Sequence, residues 1–275
     1  MRPILGASIF IFVLSAIGSV CAHAQAKQSS ASATQGSPAS LGRTIPGEQF
    51  LPPAIRAQQA DDFDNPAYPY VEAGEMSWSK VEGSAGKSCQ DCHGGGQKNA
   101  LKQIAATYPK YAPDVNQVIT LQTRINLCRR NNLRALPLAE NSEQMIAVTA
   151  YLRWLARGSP STVDVAGPAT AVFARGSQLY QTKTGRLQLS CAQCHNEKFG
   201  QNFGSETLSQ GHALSYPVFS ISQGRMISLH ERIRMCNQLA RAEGQADNAP
   251  DYAALELYLN WRSKDLPVTA PGVRP

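Results

Sequence analysis

Ser88-Cys89-Gln90-Asp91-Cys92-His93 and Ser190-Cys191-Ala192-Gln193-Cys194-His195 are the two strings that decide how this chain is read. Each places two thiols one helical turn apart, with a histidine directly after the second. Each is preceded by a serine, where a helix N-cap is wanted. Cys-x-x-Cys-His is the attachment signature of haem c: the thiols add to the vinyl groups of the porphyrin, and the histidine turns under the ring to bind iron. Zinc sites and redox dithiols also use Cys-x-x-Cys. Zinc needs four protein ligands per site, and a redox dithiol has no need of His93 or His195. The sequence therefore predicts two covalently bound haem c groups, held through Cys89, Cys92, Cys191 and Cys194, with His93 and His195 as proximal ligands.

Working outward, the chain repeats itself. Gly74 and Gly176 each lie 15 residues before the first motif cysteine, and Trp78 and Tyr180 follow them by four. Leu121-Gln122-Thr123-Arg124-Ile125-Asn126-Leu127-Cys128 aligns with Leu229-His230-Glu231-Arg232-Ile233-Arg234-Met235-Cys236. Tyr151-Leu152-Arg153-Trp154 aligns with Tyr258-Leu259-Asn260-Trp261. Leu121, Ile125 and Cys128 fall on one helix face, as do Leu229, Ile233 and Cys236, and Met145, Val148, Leu152 and Leu155 give a further apolar stripe. No alternating strand pattern stands out. The expected fold is all-α, with two tandem class I-like cytochrome c domains over 61–158 and 171–270, joined by a linker at 159–170. Each domain reads as haem helix, middle helix and closing helix, with haem supplying apolar core that about 100 residues would otherwise lack.

The rest of the chain sets the compartment and the partners. Residues 1–26 read as a secretory signal: Arg2, the apolar and small run Ile4–Val20, then Ala22-His23-Ala24 and Ala24-Gln25-Ala26 as small-x-small cleavage patterns. The run is short for a bilayer span of about 20 residues, no later segment is apolar enough to span, and cleavage after Ala24 or Ala26 removes Cys21. The mature protein is expected in the periplasm. Residues 27–60, rich in Ala, Ser, Gln and Pro, read as a flexible arm. Of 275 residues, 26 are Lys or Arg and 20 Asp or Glu, a formal charge of +6. That favours anionic partners, yet no basic run argues for nucleic acid. Charged residues make up only 17%, which excludes a coiled coil or a charge-rich disordered chain.

The sixth position on each iron is open to several readings. Small c-type cytochromes often use methionine there, but Met76, Met145, Met226 and Met235 do not recur between halves. Cysteine does, at Cys128 and Cys236, and both are expected to ligate iron. The alternatives are a Cys128–Cys236 disulfide, which exported thiols commonly form, and His212 or His230 at the second haem. Arg232 lies one turn before Cys236, where a guanidinium favours a thiolate and can hold an oxyanion. Arg124 has the same place before Cys128. The added Arg225 and Arg234 point to the second half as the active one.

With these residues the chain resembles the SoxA family, the catalytic dihaem subunits of the SoxAX cytochromes of thiosulfate oxidation. The resemblance rests on two Cys-x-x-Cys-His motifs, one added cysteine per half, Arg232-x-x-x-Cys236, and Leu208-Ser209-Gln210-Gly211-His212 followed by Tyr216-Pro217. It covers roughly residues 60–270. Many members have lost the first haem; here Cys89–His93 is intact. The resemblance implies a SoxX-like monohaem cytochrome c as heterodimer partner and a SoxYZ-like carrier protein. It implies that thiosulfate is joined oxidatively to a carrier cysteine, with two electrons passing to haem. Cys236 would be the distal ligand and catalytic sulfur, becoming a persulfide, and Arg232 the substrate-binding arginine. Two other activities fit the motifs alone: a plain dihaem electron carrier and a dihaem peroxidase.

Overall fold

Two glycines fix how the chain folds back on itself. Gly74 lies in α2 (Tyr68–Ser79), and a Cβ there would sit 2.1 Å from the Ala147 carbonyl oxygen of α6 (Glu143–Leu155). Gly176 lies in α7 (Thr170–Gln181), and a Cβ there would sit 2.1 Å from the Ala254 carbonyl oxygen of α10 (Pro250–Arg262). No side chain tolerates such a distance, so glycine is what lets each helix pair cross backbone to backbone. The computed structural model describes residues 43–94, 98–244, 246 and 249–275. The signal segment 1–26 and residues 27–42 of the arm lie outside them.

Around each crossing the same parts recur. The motif helices α3 (Cys89–His93) and α8 (Cys191–His195) follow α2 and α7. The middle helices are α5 (Leu121–Cys128) and α9 (Leu229–Leu239). Each opens on a side-chain cap: the Thr120 hydroxyl accepts from the Thr123 N–H and the Ser228 hydroxyl from the Glu231 N–H. A second pair of glycines, Gly83 and Gly185, adopts φ +71° and +67° and backs onto the Leu133 and Ala240 carbonyls, so the loop before each motif is pinned beneath its middle helix.

The all-α expectation needs correcting in detail. Short strands β1 (Lys110–Ala112) and β2 (Gln117–Ile119) form a hairpin before α5, and β5 (Val218–Ser220) and β6 (Arg225–Ile227) form its equivalent before α9. A further hairpin, β3 (Asn202–Phe203) with β4 (Glu206–Thr207), falls in the stretch from α8 to Tyr216, which is six residues longer than its counterpart from α3 to Tyr108. Strand β7 (Gly272–Arg274) pairs parallel with β5. Strands of two or three residues are too short to show a period of two.

The buried residues form two cores. One lies between α2, α5 and α6 and includes Met145, Tyr151 and Trp78; the other lies between α7, α9 and α10 and includes Tyr180, Tyr252 and Tyr258. Met226, Val268 and Ala270 belong to the first core although they come from late in the chain. The stretch read as a linker is anchored rather than loose: Val163 and Ala169 are buried, and the Ser161 N–H donates to the Leu266 carbonyl at 3.0 Å. The expected flexible arm is likewise structured from Gly47 onward. Helix α1 (Pro53–Ala60) carries Gln59, whose side-chain oxygen accepts from the Val273 N–H and from Arg274. A polar composition gave no hint of this docking, because the partners lie more than 200 residues away.

Candidate haem sites and the cysteine–arginine pairs

The motif helices are built by a reciprocal cap. The Ser88 hydroxyl accepts from the Asp91 N–H at 3.2 Å, while the Asp91 carboxylate accepts from the Ser88 N–H at 2.7 Å. Ser190 and Gln193 repeat the arrangement at 3.3 and 2.8 Å. Such a capping box holds one isolated turn in helical form, and that turn sets both thiols and the histidine on one side. All described cysteines are free thiols. Burial pushes Cys89 up to about 11 and Cys191 up to about 12, so both are neutral thiols in the bare chain.

The histidine of the second motif is held in place. His195 Nδ1 lies 2.7 Å from the Ser209 carbonyl oxygen. A carbonyl only accepts, so Nδ1 carries the proton and Nε2 presents its lone pair, the form that binds iron. Burial lowers the pKa of His195 below its ordinary value, which favours the same neutral ring. Gly211, at φ +74°, packs against that ring, where a Cβ would lie 3.1 Å from Cγ. Leu208-Ser209-Gln210-Gly211-His212 is therefore a scaffold for His195. His93 lies instead against Trp78, with ring centroids 5.6 Å apart.

Cys128 and Cys236 each stay with their own half. Cys128 interacts electrostatically with Cys89 and Cys92, and Cys236 with Cys191 and Cys194. Neither is in a disulfide. The rival ligands are engaged elsewhere. His212 has Nδ1 3.0 Å from Ser263 Oγ and Nε2 3.2 Å from Gln210 Oε1. His230 is buried rather than facing solvent, with Nε2 2.8 Å from Glu256 and Nδ1 3.6 Å from Glu140. Met145 and Met226 lie in the core and Met76 is exposed.

The arginines divide. Arg225 is tied to Glu231 and Gln223, and Arg234 exerts its charge on His230. Arg232 acts on the Cys236 sulfur and favours its thiolate, yet burial dominates and the thiol is still raised above its ordinary value. Arg232 also makes a bidentate pair with Glu206 of β4 and lies beside half-buried Tyr216. In the first half Arg124 pairs with Asp114 at 2.7 and 2.9 Å and hydrogen-bonds Tyr108. Thus the unit in each half is Tyr, Arg, acid and Cys. The sequence reading missed Tyr108, Asp114 and Glu206. The tyrosines were within reach, since Tyr108-Pro109 and Tyr216-Pro217 each stand 20 residues before their cysteine. The acids were not, because Asp114 and Glu206 come from non-equivalent loops.

A helix-rich fold that carries paired Cys-x-x-Cys-His turns beside further cysteines defines a c-type cytochrome, the class that holds haem c covalently. The SoxA/TsdA cytochrome c domain matches residues 73–161 and again 175–268, and the chain belongs to that family. It is 36% identical over 245 residues to the L-cysteine S-thiosulfotransferase subunit SoxA of Pseudaminobacter salicylatoxidans, covering 89% of this chain and 85% of the relative. It is 34% identical over 228 residues to the subunit of the same name from Rhodovulum sulfidophilum, covering 83% and 79%. In structure it is similar to SoxXA from P. pantotrophus, with a TM-score of 0.80, 28% identity, and coverage of 84% of this chain and 87% of that one. Among the described residues no helix is long and apolar enough to cross a membrane.

Proposed function

We propose that the chain is the dihaem SoxA-type subunit of a periplasmic L-cysteine S-thiosulfotransferase, with one haem-binding half over 61–158 and the other over 171–270. It joins thiosulfate to a cysteine of a SoxY-like carrier, and the electrons leave through haem to a SoxX-like monohaem cytochrome c bound as heterodimer. The relatives' names and the likeness to SoxXA support this reading. The observation that carries it is Arg232, bidentate on Glu206 of a hairpin without counterpart among the described residues of the first half, and acting on the Cys236 sulfur one helical turn on.

In the overall reaction, carrier thiol and thiosulfate give carrier cysteine S-thiosulfonate, one proton and two electrons: the thiol S–H bond breaks and an S–S bond forms. Haem, held by Cys89, Cys92 and His93 and by Cys191, Cys194 and His195, supplies one-electron acceptance. The free thiols, the bare Nε2 of His195 and the separate placement of Cys128 and Cys236 all fit that group. Arg232 binds the sulfonate oxygens, a charge-assisted contact suited to a small dianion. Glu206 occupies that guanidinium until the substrate anion takes its place. Cys236 presents the reacting sulfur, and Cys128 would help hold the first haem as a relay. The Ser209 carbonyl fixes the His195 tautomer throughout.

The test supplies thiosulfate, an electron acceptor and the carrier protein, and follows haem reduction and carrier mass. Wild-type protein should add thiosulfonate to the carrier. Cys236→Ala should keep both haems, since all four thioethers remain, and lose turnover almost entirely. Full turnover in that variant would leave only an electron carrier.

A further inference from the structure

Between the halves lies a chamber of about 30 Å³ of mixed polar and apolar lining, room for about two waters at roughly 10–15 Å³ each. Its walls are repeat equivalents facing one another: Tyr108 and Tyr216, Leu121 and Leu229, Arg153 and Asn260. Three buried polar atoms on it have no hydrogen-bond partner among the described residues: Gln122 Oε1, Thr149 Oγ1 and Asn260 Oδ1. Their residues are 9%, 4% and 2% exposed, so an unmade hydrogen bond at each would cost about 1–3 kcal/mol. Water in the chamber removes that cost.

The same chamber is lined by carboxylates that no step above uses. Glu140, just before α6, and Glu256 of α10 both reach His230 of α9. Arg153 of α6 and Arg234 of α9 add positive charge, on Glu256 and His230 respectively, and the Tyr252 ring stacks on His230. Burial raises the pKa of Glu140 above its ordinary value, with the Glu256 charge adding to the rise and His230 opposing it. His230 would be lowered by burial, but its bond to Glu256 and both carboxylate charges leave it raised. Tyr108 and Tyr216 connect the chamber to both candidate sites, since Tyr108 interacts with Cys128 and Arg124, and Tyr216 with Cys236 and Arg232.

We infer that this chamber is a hydrated proton-loading site: it holds water on Gln122, Thr149 and Asn260 and takes a proton onto Glu140 when the protein is reduced. One electron entering from an external reductant lowers the potential at the buried carboxylate. One proton passes from bulk water through the chamber's water to the Glu140 carboxylate, forming one O–H bond, and returns on reoxidation. The inference rests on the presence of haem beside Cys128 and Cys236, but not on thiosulfate being the substrate.

The test is a redox titration of the haem-loaded protein across pH, read by the haem spectrum, with thiosulfate turnover measured separately. The reduction potential of wild type should fall as pH rises through the titration of Glu140. Glu140→Gln should flatten that dependence, while Asp251→Asn, at a surface pair with Arg175, should keep it. Thr149→Val removes one water-holding hydroxyl without changing charge, and should shift the pH window. A wild-type potential that is flat with pH overturns the inference, as does a slope unchanged in both Glu140→Gln and Thr149→Val. A chamber without water in a high-resolution crystal structure overturns it even if Glu140→Gln fails to fold. Loss of thiosulfate turnover in wild type would refute the functional reading alone.

Discussion

The two halves share a plan and differ in how they cover the arginine beside their cysteine. In the first half Arg124 is paired with Asp114, a carboxylate 52% exposed in the turn of the β1–β2 hairpin. In the second, Arg232 is paired with Glu206, 29% exposed, on a hairpin without counterpart among the described residues. The second half also has a third strand, β7, which brings Arg274 to within electrostatic reach of Tyr216, Arg232 and Glu206. Cys128 ends its helix and leads straight into a π-turn over Arg129–Leu133, whereas Cys236 lies inside α9. A duplicated unit has thus kept its Cys-x-x-Cys-His turns and changed the setting of one cysteine. The difference sets apart the half to which the proposed chemistry is assigned from the half proposed as electron relay.

The comparison breaks most sharply at the cysteines. Cys236→Ala should abolish thiosulfate turnover, while Cys128→Ala should change one haem spectrum and retain most turnover. Equal losses would make the halves equivalent. Next come the arginines: Arg232→Ala should lower kcat/KM for thiosulfate by about 10²-fold or more, a magnitude typical of removing one well-placed electrostatic group. Arg124→Ala should cost far less, and steady-state kinetics on both variants decides it.

A smaller effect sharpens the comparison through acid sensitivity. Burial, helped by the Arg262 and His195 charges, lowers His212 to about 4 from an ordinary 6.5. The unfolded chain therefore binds the proton first as pH falls. Stability from this residue is fully present above about 6.5 and is lost as pH drops toward 4, amounting to roughly 2–4 kcal/mol over the window. Urea unfolding of wild type should show that loss, and His212→Gln should remove this part of it. Position 104, its equivalent counted from the Tyr-Pro pair, is Ile104, so the first half adds nothing in this window there. Smallest of all, Asp114→Asn should leave the urea midpoint almost unchanged in the same unfolding assay, because the Arg124 pair is solvent-screened.

Much of this asymmetry could not be read from the chain. The motif strings, Gly74, Gly176, Cys128 and Cys236 were legible because local spacing or repetition marks them. Glu206 stands 26 residues from Arg232 in an insertion, so neither spacing nor repeat points to it. Arg225 and Arg234 have partners that nearness in sequence to Cys236 does not reveal: one lies on a strand tied to Glu231, and the other exerts its charge on His230. His230 itself occupies a helix position that looks solvent-facing until α10 packs over it and supplies Glu256. The short strands and the docking of α1 depend on partners far along the chain, which no local pattern encodes.

The glycine crossings bear on the timing of folding. Each joins segments more than seventy residues apart, and closing a loop of that length costs roughly 4 kcal/mol of chain entropy before any contact offsets it. Contacts so distant form late. The capping boxes at Ser88 and Ser190 span four residues and form locally, so thiols and histidine can be arrayed while the surrounding chain is still open. Haem attachment at these turns would accordingly have a kinetic window, closing when Gly74 and Gly176 lock against the closing helices.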